Sequence, residues 1–334
     1  MPIRTAPAHA ATSETSAPLT RAWLPLAAVG VTLLLWASAF VGIRHLGPTF
    51  SPGPLSLGRL LFGSVSLGIA LLGSRSWRRP SRRDWLSMAA IGVLWFGIYN
   101  VALNAGERRI DAGTASMLIQ VSPILIAILA LFLLREKPTL FLAAGIVLAF
   151  GGVALIAIST SSGSNHDLLG VGLCVLSAVV YAVSVILQKP VVSRLPAVQV
   201  TWVACTVGAV VCLPFAGSLI HQTGNASLAD VGWLAYLGVF PTAIAFTTYA
   251  FALQHMSASN LGVTTYLVPP MTVLLSWAFL SETPPGVAYV GGALCLVGVA
   301  VARRKPRASA NPAPASPQDV SLVQCRGEQQ QHGM

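Results

Sequence analysis

Charge is what this sequence has least of. Of 334 residues, ten are Asp or Glu and twenty are Lys or Arg, so 9% are charged while 54% are hydrophobic. A soluble domain carries about a quarter charged residues, so this chain cannot cover a water-facing surface. Long stretches without an ionisable side chain instead mark an all-α polytopic membrane protein. Cysteine is scarce too. Cys174, Cys205, Cys212 and Cys295 fall in apolar segments and Cys325 in a polar tail. With no CxxC and no Cys/His cluster, neither a disulfide framework nor a metal site is signalled, and no cofactor is expected. The first twenty residues are polar and rich in Ala, Ser, Thr and Pro, so a cleavable signal peptide is not expected ahead of the first span.

Other absences narrow the function. Intramembrane aspartyl and metalloprotease mechanisms need paired Asp or HExxH within a span, and neither occurs. The six histidines read as loop and tail residues, and no serine is paired with one at depth, so the chain is not expected to be an enzyme. A passive channel is the alternative from another class, but no charged or carbonyl-lined filter is visible. The net charge of +10 could suggest a nucleic-acid partner, yet most Lys and Arg flank apolar segments. No nucleic-acid binding is expected.

Ten apolar stretches are long enough, or nearly so, to cross about 30 Å of hydrocarbon. They are 24–43, 55–73, 85–104, 112–134, 140–158, 168–188, 198–219, 231–250, 257–280 and 286–302. Sixteen of the twenty basic residues fall in the N-terminal arm, the connections after even-numbered spans and the tail. Arg44, Arg59, Arg108 and Arg109 count with the opposite connections. Basic residues concentrate on the cytoplasmic side, which places both termini there, in the plasma membrane. The arm (1–23) and tail (303–334) are expected to be disordered.

What the chain does contain is one phrase written twice. QVSPILIAILALFLLREKPT and YLVPPMTVLLSWAFLSETPP match at an offset of 146, which aligns Pro123 with Pro269, Glu136 with Glu282, and Pro138 with Pro284. At an offset of 145, Trp36 and Arg44 meet Tyr181 and Lys189. Each half, 24–158 and 168–302, therefore reads as a five-helix unit. Because five is odd, the second unit enters the membrane from the opposite side. Such inverted repeats characterise secondary transporters, in which exchanging the conformations of the halves exchanges outward-open for inward-open.

Proline inside a span removes a backbone hydrogen bond, a defect tolerated where protein or a wet cavity satisfies the freed carbonyl. Pro123, Pro269 and Pro270 are thus expected to kink spans 4 and 9 beside a central cavity. Static kinks that only improve packing are the alternative. Glu136 and Glu282 close those spans at opposite faces. A carboxylate there opposes the helix dipole, so each is expected to be a structural bracket with a cationic or amide partner.

The same residues carry a resemblance. LWASAFVGIR, SLGRLLFG and the two proline–glutamate phrases resemble the EamA-type branch of the drug/metabolite transporter superfamily, over about residues 24–302. The resemblance implies a ten-helix carrier of amino acids, purines, sugar phosphates or drugs, usually working outward. It also implies a pathway bordered by helices 1, 3, 4, 6, 8 and 9. Small four-helix multidrug relatives use a glutamate in their first helix, whereas span 1 here reads VTLLLWASAFVG. That departure argues against export of lipophilic cations and against strong proton coupling. Glu107, near the end of span 3, is the one candidate for coupling.

Recognition is then expected to rest on aromatic faces, hydroxyls and amides. The candidate substrate-binding residues are Trp36, Tyr99, Asn100, Asn104, Gln120, Tyr181, Thr247, Thr265 and Tyr266; interhelical bonding is the alternative role for each. The function expected is export of small polar or amphipathic metabolites, amino acids first. Purine, nucleoside or multidrug export is the alternative. The partners expected are a small-molecule metabolite and the lipid bilayer, for a monomer or homodimer.

Overall fold

The computed structural model describes residues 23–134, 167–256 and 258–302, with scattered positions between 141 and 155. The arm, the tail, Glu136 and most of span 5 lie outside the described residues. The first half supplies α1 (Trp23–Leu46), α2 (Pro52–Ser74), α3 (Arg82–Glu107), α4 (Ala112–Ile119) and α5 (Ser122–Leu134). The second supplies α6 (Leu168–Val192), α7 (Ala197–Val211), α8 (Ala216–Asn225), α9 (Leu228–His255), α10 (Ala258–Thr264), α11 (Val268–Leu280) and α12 (Gly286–Ala302). There are no strands among the described residues. Five helices, α1, α2, α3, α6 and α9, are long and apolar enough to cross a membrane, and a bent pair makes a sixth.

That bent pair holds the stretch read from sequence as span 198–219. Ala197–Val211 and Leu213–Asn225 meet at 52°. The reason is local: Pro214 has no N–H to continue the ladder, so the chain passes through a 3₁₀ turn at Leu213–Phe215.

Spans 4 and 9 are likewise broken. Asp111 caps α4 by accepting from the Thr114 amide at 2.8 Å. α4 ends at Gln120, and α5 begins with Ser122 and Pro123. In the second half a 3₁₀ turn, Thr265–Leu267, separates α10 from α11, whose first turn holds Pro269. These prolines open new helices rather than kink old ones, because a first-turn residue needs no amide partner.

Two features written into both halves escape hydropathy. α3 and α9 each start with a capping box, Ser81 with Asp84 and Ser227 with Asp230. Each then widens into a π-helix, Gly92–Ile98 and Gly238–Ile244. Asp84 and Asp230 are therefore helix-capping residues, and Asp84 is also paired with Arg194. His45, His221 and His255 sit exposed on helices rather than in loops.

The halves interlock through glycine. A Cβ at Gly238 of α9 would lie 2.6 Å from the Arg59 carbonyl and 3.0 Å from the Gly63 amide of α2. In the mirrored contact a Cβ at Gly92 of α3 would lie 2.7 Å from the Ala204 carbonyl of α7, and one at Gly208 would lie 3.1 Å from the Gly92 carbonyl. Gly63 and Gly92 map onto Gly208 and Gly238 by the same sequence offsets, so each half lends one helix to the other. Between helices in lipid, close backbone approach of this kind replaces the hydrophobic drive available in water. Large apolar side chains such as Val65, Ile69, Leu72 and Leu86 cover the outer surface, which suits lipid contact.

Candidate functional site

α1, α3, α6 and α9 direct their aromatic side chains to one centre. Trp36 lies edge-on to Tyr181 at 6.1 Å and to Phe246 at 5.4 Å, and 4.9 Å from Tyr249. Trp95 approaches Tyr181 and Phe246 at 5.0 Å each. These tilted and edge-to-face arrangements match positive ring edges to negative faces. The Tyr181 hydroxyl donates to the Tyr249 hydroxyl at 3.0 Å, while the buried Trp36 Nε1 has no hydrogen-bond partner among the described residues.

The cage borders a cavity with room for water-sized molecules over about 40 Å³. Trp36, Tyr99, Gln120, Tyr181 and Thr265 line it, with Arg59, Trp95 and Phe246. A drug-sized ligand needs about 300 Å³ or more, so the rings close on one another and must part for a substrate to enter. The broken spans 4 and 9 meet here. Gln120 and Thr265 stand at the two breaks, and Thr265 Oγ1 donates to Gln120 Oε1 at 3.2 Å. Gln120 and Thr265 are each 3% exposed, so at these two residues the broken backbone faces protein and cavity, where such breaks are tolerated.

Four other candidates lie outside the lining. Asn100 donates through Nδ2 to the Trp95 and Phe96 carbonyls at 3.1 and 2.9 Å, satisfying groups left by the π-widening. Asn104 donates to Ser56 Oγ at 2.8 Å and to the Pro52 carbonyl at 3.3 Å, tying α3 to α2. Thr247 is half-buried on α9, and Tyr266 packs on Ile124.

Charge is the larger correction. Arg59, counted with the connections in the sequence, lies inside α2, is 3% exposed and lines the cavity. Its Nε donates to Thr242 Oγ1 at 3.1 Å, and Thr242 Oγ1 in turn donates to the Leu237 carbonyl across the π-turn at 2.8 Å. Glu107, the last residue of α3, is fully buried, and neither carboxylate oxygen has a hydrogen-bond partner among the described residues. A buried arginine thus lines the cavity beside the aromatic faces, hydroxyl and amide expected from the sequence. Hydropathy also passed over Trp95 and Phe246, although Trp95 stands one helical turn before Tyr99.

Polar ties close the assembly at both ends. At one end Arg44 Nε donates to both Glu282 oxygens at 2.9 and 3.1 Å, and its Nη1 donates to the Glu107 carbonyl at 2.8 Å. At the other, Lys189 donates to the carbonyls of Leu253 and Met256. Gln254 caps the end of α6 by donating to the Val192 and Leu195 carbonyls at 2.9 and 3.1 Å.

Comparison with known proteins places this geometry. The chain is 35% identical over 278 residues to a probable terminal-alkyne amino-acid exporter of Streptantibioticus cattleyicolor, covering 83% of this chain and 93% of that protein. It is 30% identical over 268 residues to the uncharacterized transporter YdfC of Bacillus subtilis, covering 79% and 86%. A solved crystal structure superposes with a TM-score of 0.59 at 20% identity, covering 84% of this chain and 97% of the other, which supports the fold alone. The EamA-like transporter family matches residues 22–158 and again 168–304. With two family repeats interlocked around one central cavity, this chain is a multi-pass membrane protein that belongs to the EamA-like transporter family.

Proposed function

We propose that this transporter exports small polar or amphipathic metabolites, amino acids first, by alternating access at the aromatic cavity. The observation that carries the reading is the 35% identity, over most of both chains, to the probable terminal-alkyne amino-acid exporter. The cavity supports it chemically. Aromatic faces suit an apolar side chain, while Trp36 Nε1, Gln120, Thr265 and Arg59 offer polar groups to its polar end. The two sets of end ties act as alternating locks. Releasing the Arg44–Glu282 pair opens one mouth, and releasing the Lys189 and Gln254 caps opens the other. The concentration of basic residues in the connections supports a cytoplasmic second mouth, with both termini cytoplasmic at the plasma membrane.

The test is counterflow into proteoliposomes across amino acids, nucleobases and cationic dyes, with and without a proton gradient. Saturable exchange of amino acids is expected. Exchange confined to nucleobases or dyes would replace the reading with purine or multidrug export, and flux that never saturates would replace it with a passive channel.

A further inference from the structure

Buried ions in a membrane protein pair with one another or mark a functional site. Arg59 and Glu107 are both buried, at 3% and 0% exposure, on the neighbouring helices α2 and α3. Arg59 is the foremost opposite charge acting on Glu107. Yet no ion pair or hydrogen bond joins them. Among the described residues Arg59 bonds only through Nε to Thr242, and its Nη groups have no hydrogen-bond partner there. Both carboxylate oxygens of Glu107 are orphaned. Glu107 does not close on Arg44 either, because that guanidinium is already engaged by Glu282 and by the Glu107 carbonyl.

Arg59 lines the cavity, and Glu107, outside the lining, stands one helical turn beyond the lining residue Leu103 on α3. A buried cation and a buried unpartnered carboxyl set on adjacent helices without touching suit a ligand that carries both charges. We propose that Arg59 and Glu107 form a zwitterion clamp, in which Arg59 takes the α-carboxylate and Glu107 the α-ammonium of an amino acid. The inference rests on the amino-acid reading above and assigns the polar end of that substrate. The aromatic cage beside Arg59 then receives the side chain. The pairing neutralises both buried charges only when the whole zwitterion is present, so ligands with one charged end leave the other ion uncompensated.

The clamp also makes a proton and the substrate ammonium competitors for Glu107, and exclusive occupancy of that kind is what exchange transport requires. The other groups acting on Glu107 are Arg44 from α1, Glu282 after α11, Asp111 capping α4, Cys174 from α6 and Tyr99 on α3 itself. Arg44 and Glu282 neutralise each other, which leaves Arg59 as the cation the proton must contend with.

The experiment measures counterflow by the full-length protein with L-phenylalanine, its carboxylate-only analogue 3-phenylpropanoate and its amine-only analogue 2-phenylethylamine. Tryptophan-fluorescence titration with the same three probes is run alongside. The wild type should prefer L-phenylalanine to either analogue by at least about tenfold, a difference of about 1.4 kcal/mol. Arg59→Gln should weaken L-phenylalanine and 3-phenylpropanoate about tenfold while sparing the amine. Glu107→Gln should weaken L-phenylalanine and the amine while sparing the carboxylate, and should flatten a loss of L-phenylalanine affinity on acidification. Arg59→Lys and Glu107→Asp should restore part of the zwitterion preference. Equal weakening of all three probes in both variants, or unchanged preference, overturns the clamp. Were the wild type to move no amino acid, the exporter reading would fall. The fluorescence titrations then judge the clamp separately, and an absence of opposite-charge selectivity between the two variants overturns it.

Discussion

The interlock of the two halves can be tested at Gly238. Replacing it with Ala puts a Cβ 2.4 Å from the Phe62 Cβ, 2.6 Å from the Arg59 carbonyl and 3.0 Å from the Gly63 amide. Ordinary carbon contacts lie near 3.5–4.0 Å, and two of these three atoms belong to the α2 backbone. The helices must therefore separate by about 1 Å. Overpacking of this kind costs about 1–3 kcal/mol, while alanine's better helix propensity returns up to about 1 kcal/mol. The expected result is a net destabilisation of about 1–2 kcal/mol, from the same two terms. Gly217→Ala is the control, because a Cβ there meets nothing within 4 Å and only the propensity gain remains. Thermal unfolding in detergent, read by labelling of the buried thiols Cys174, Cys205 and Cys212, should rank Gly238→Ala below wild type and Gly217→Ala at or above it. Transport should fall in Gly238→Ala as well, since the displaced backbone carries Arg59. Unfolding of Gly238→Ala at or above the wild-type temperature would refute the close α2–α9 approach and the mirrored α3–α7 contact with it.

Three further outcomes are expected. Trp36→Ala should reduce counterflow at least about tenfold at unchanged membrane abundance, because truncating an aromatic anchor in a binding pocket costs about 2 kcal/mol or more. Tyr266→Ala, outside the lining, should reduce it less, and the reverse order would relocate the site. A double-mutant cycle with Arg44→Gln and Glu282→Gln should yield a coupling of about 1 kcal/mol or less, because both side chains are about a third exposed and solvent screens the pair; Arg44→Glu with Glu282→Arg should recover transport lost in either single reversal. Finally, a cysteine at Trp77 should react with impermeant thiol reagent only from the cytoplasmic side and one at Pro48 only from the opposite side. Reaction of both from one side would remove the opposed threading of the halves.

Much of the site could be read from the chain because the repeat is written in residue type. Trp36 and Tyr181, Gln120 and Tyr266, and Pro123 and Pro269 stand at matched positions, and three of these residues, Trp36, Gln120 and Tyr181, line one cavity together with Tyr99 and Thr265. The asparagines do not, although Asn100 and Asn104 precede Glu107 by seven and three residues on the same helix. An amide in a span serves equally well as a ligand or as a bond to a neighbouring backbone, and residue type does not separate the two. Asn100 was taken up by the π-turn and Asn104 by α2.

The sequence alone settled the solvent, the class and the repeat. Too few charges exclude a water-facing surface, and a matched phrase at a constant offset shows a duplicated unit whatever its packing. Only the tertiary structure decided which way the few ions point. A window of hydropathy reads a single arginine near the start of a span the same whether it snorkels to the surface or turns inward. Arg59 turns inward because Gly238 lets α9 come close enough for Thr242 to hold its Nε. The π-turns and the orphaned Glu107 carboxylate arise in the same way, from contacts between helices distant in the chain, which no local pattern records.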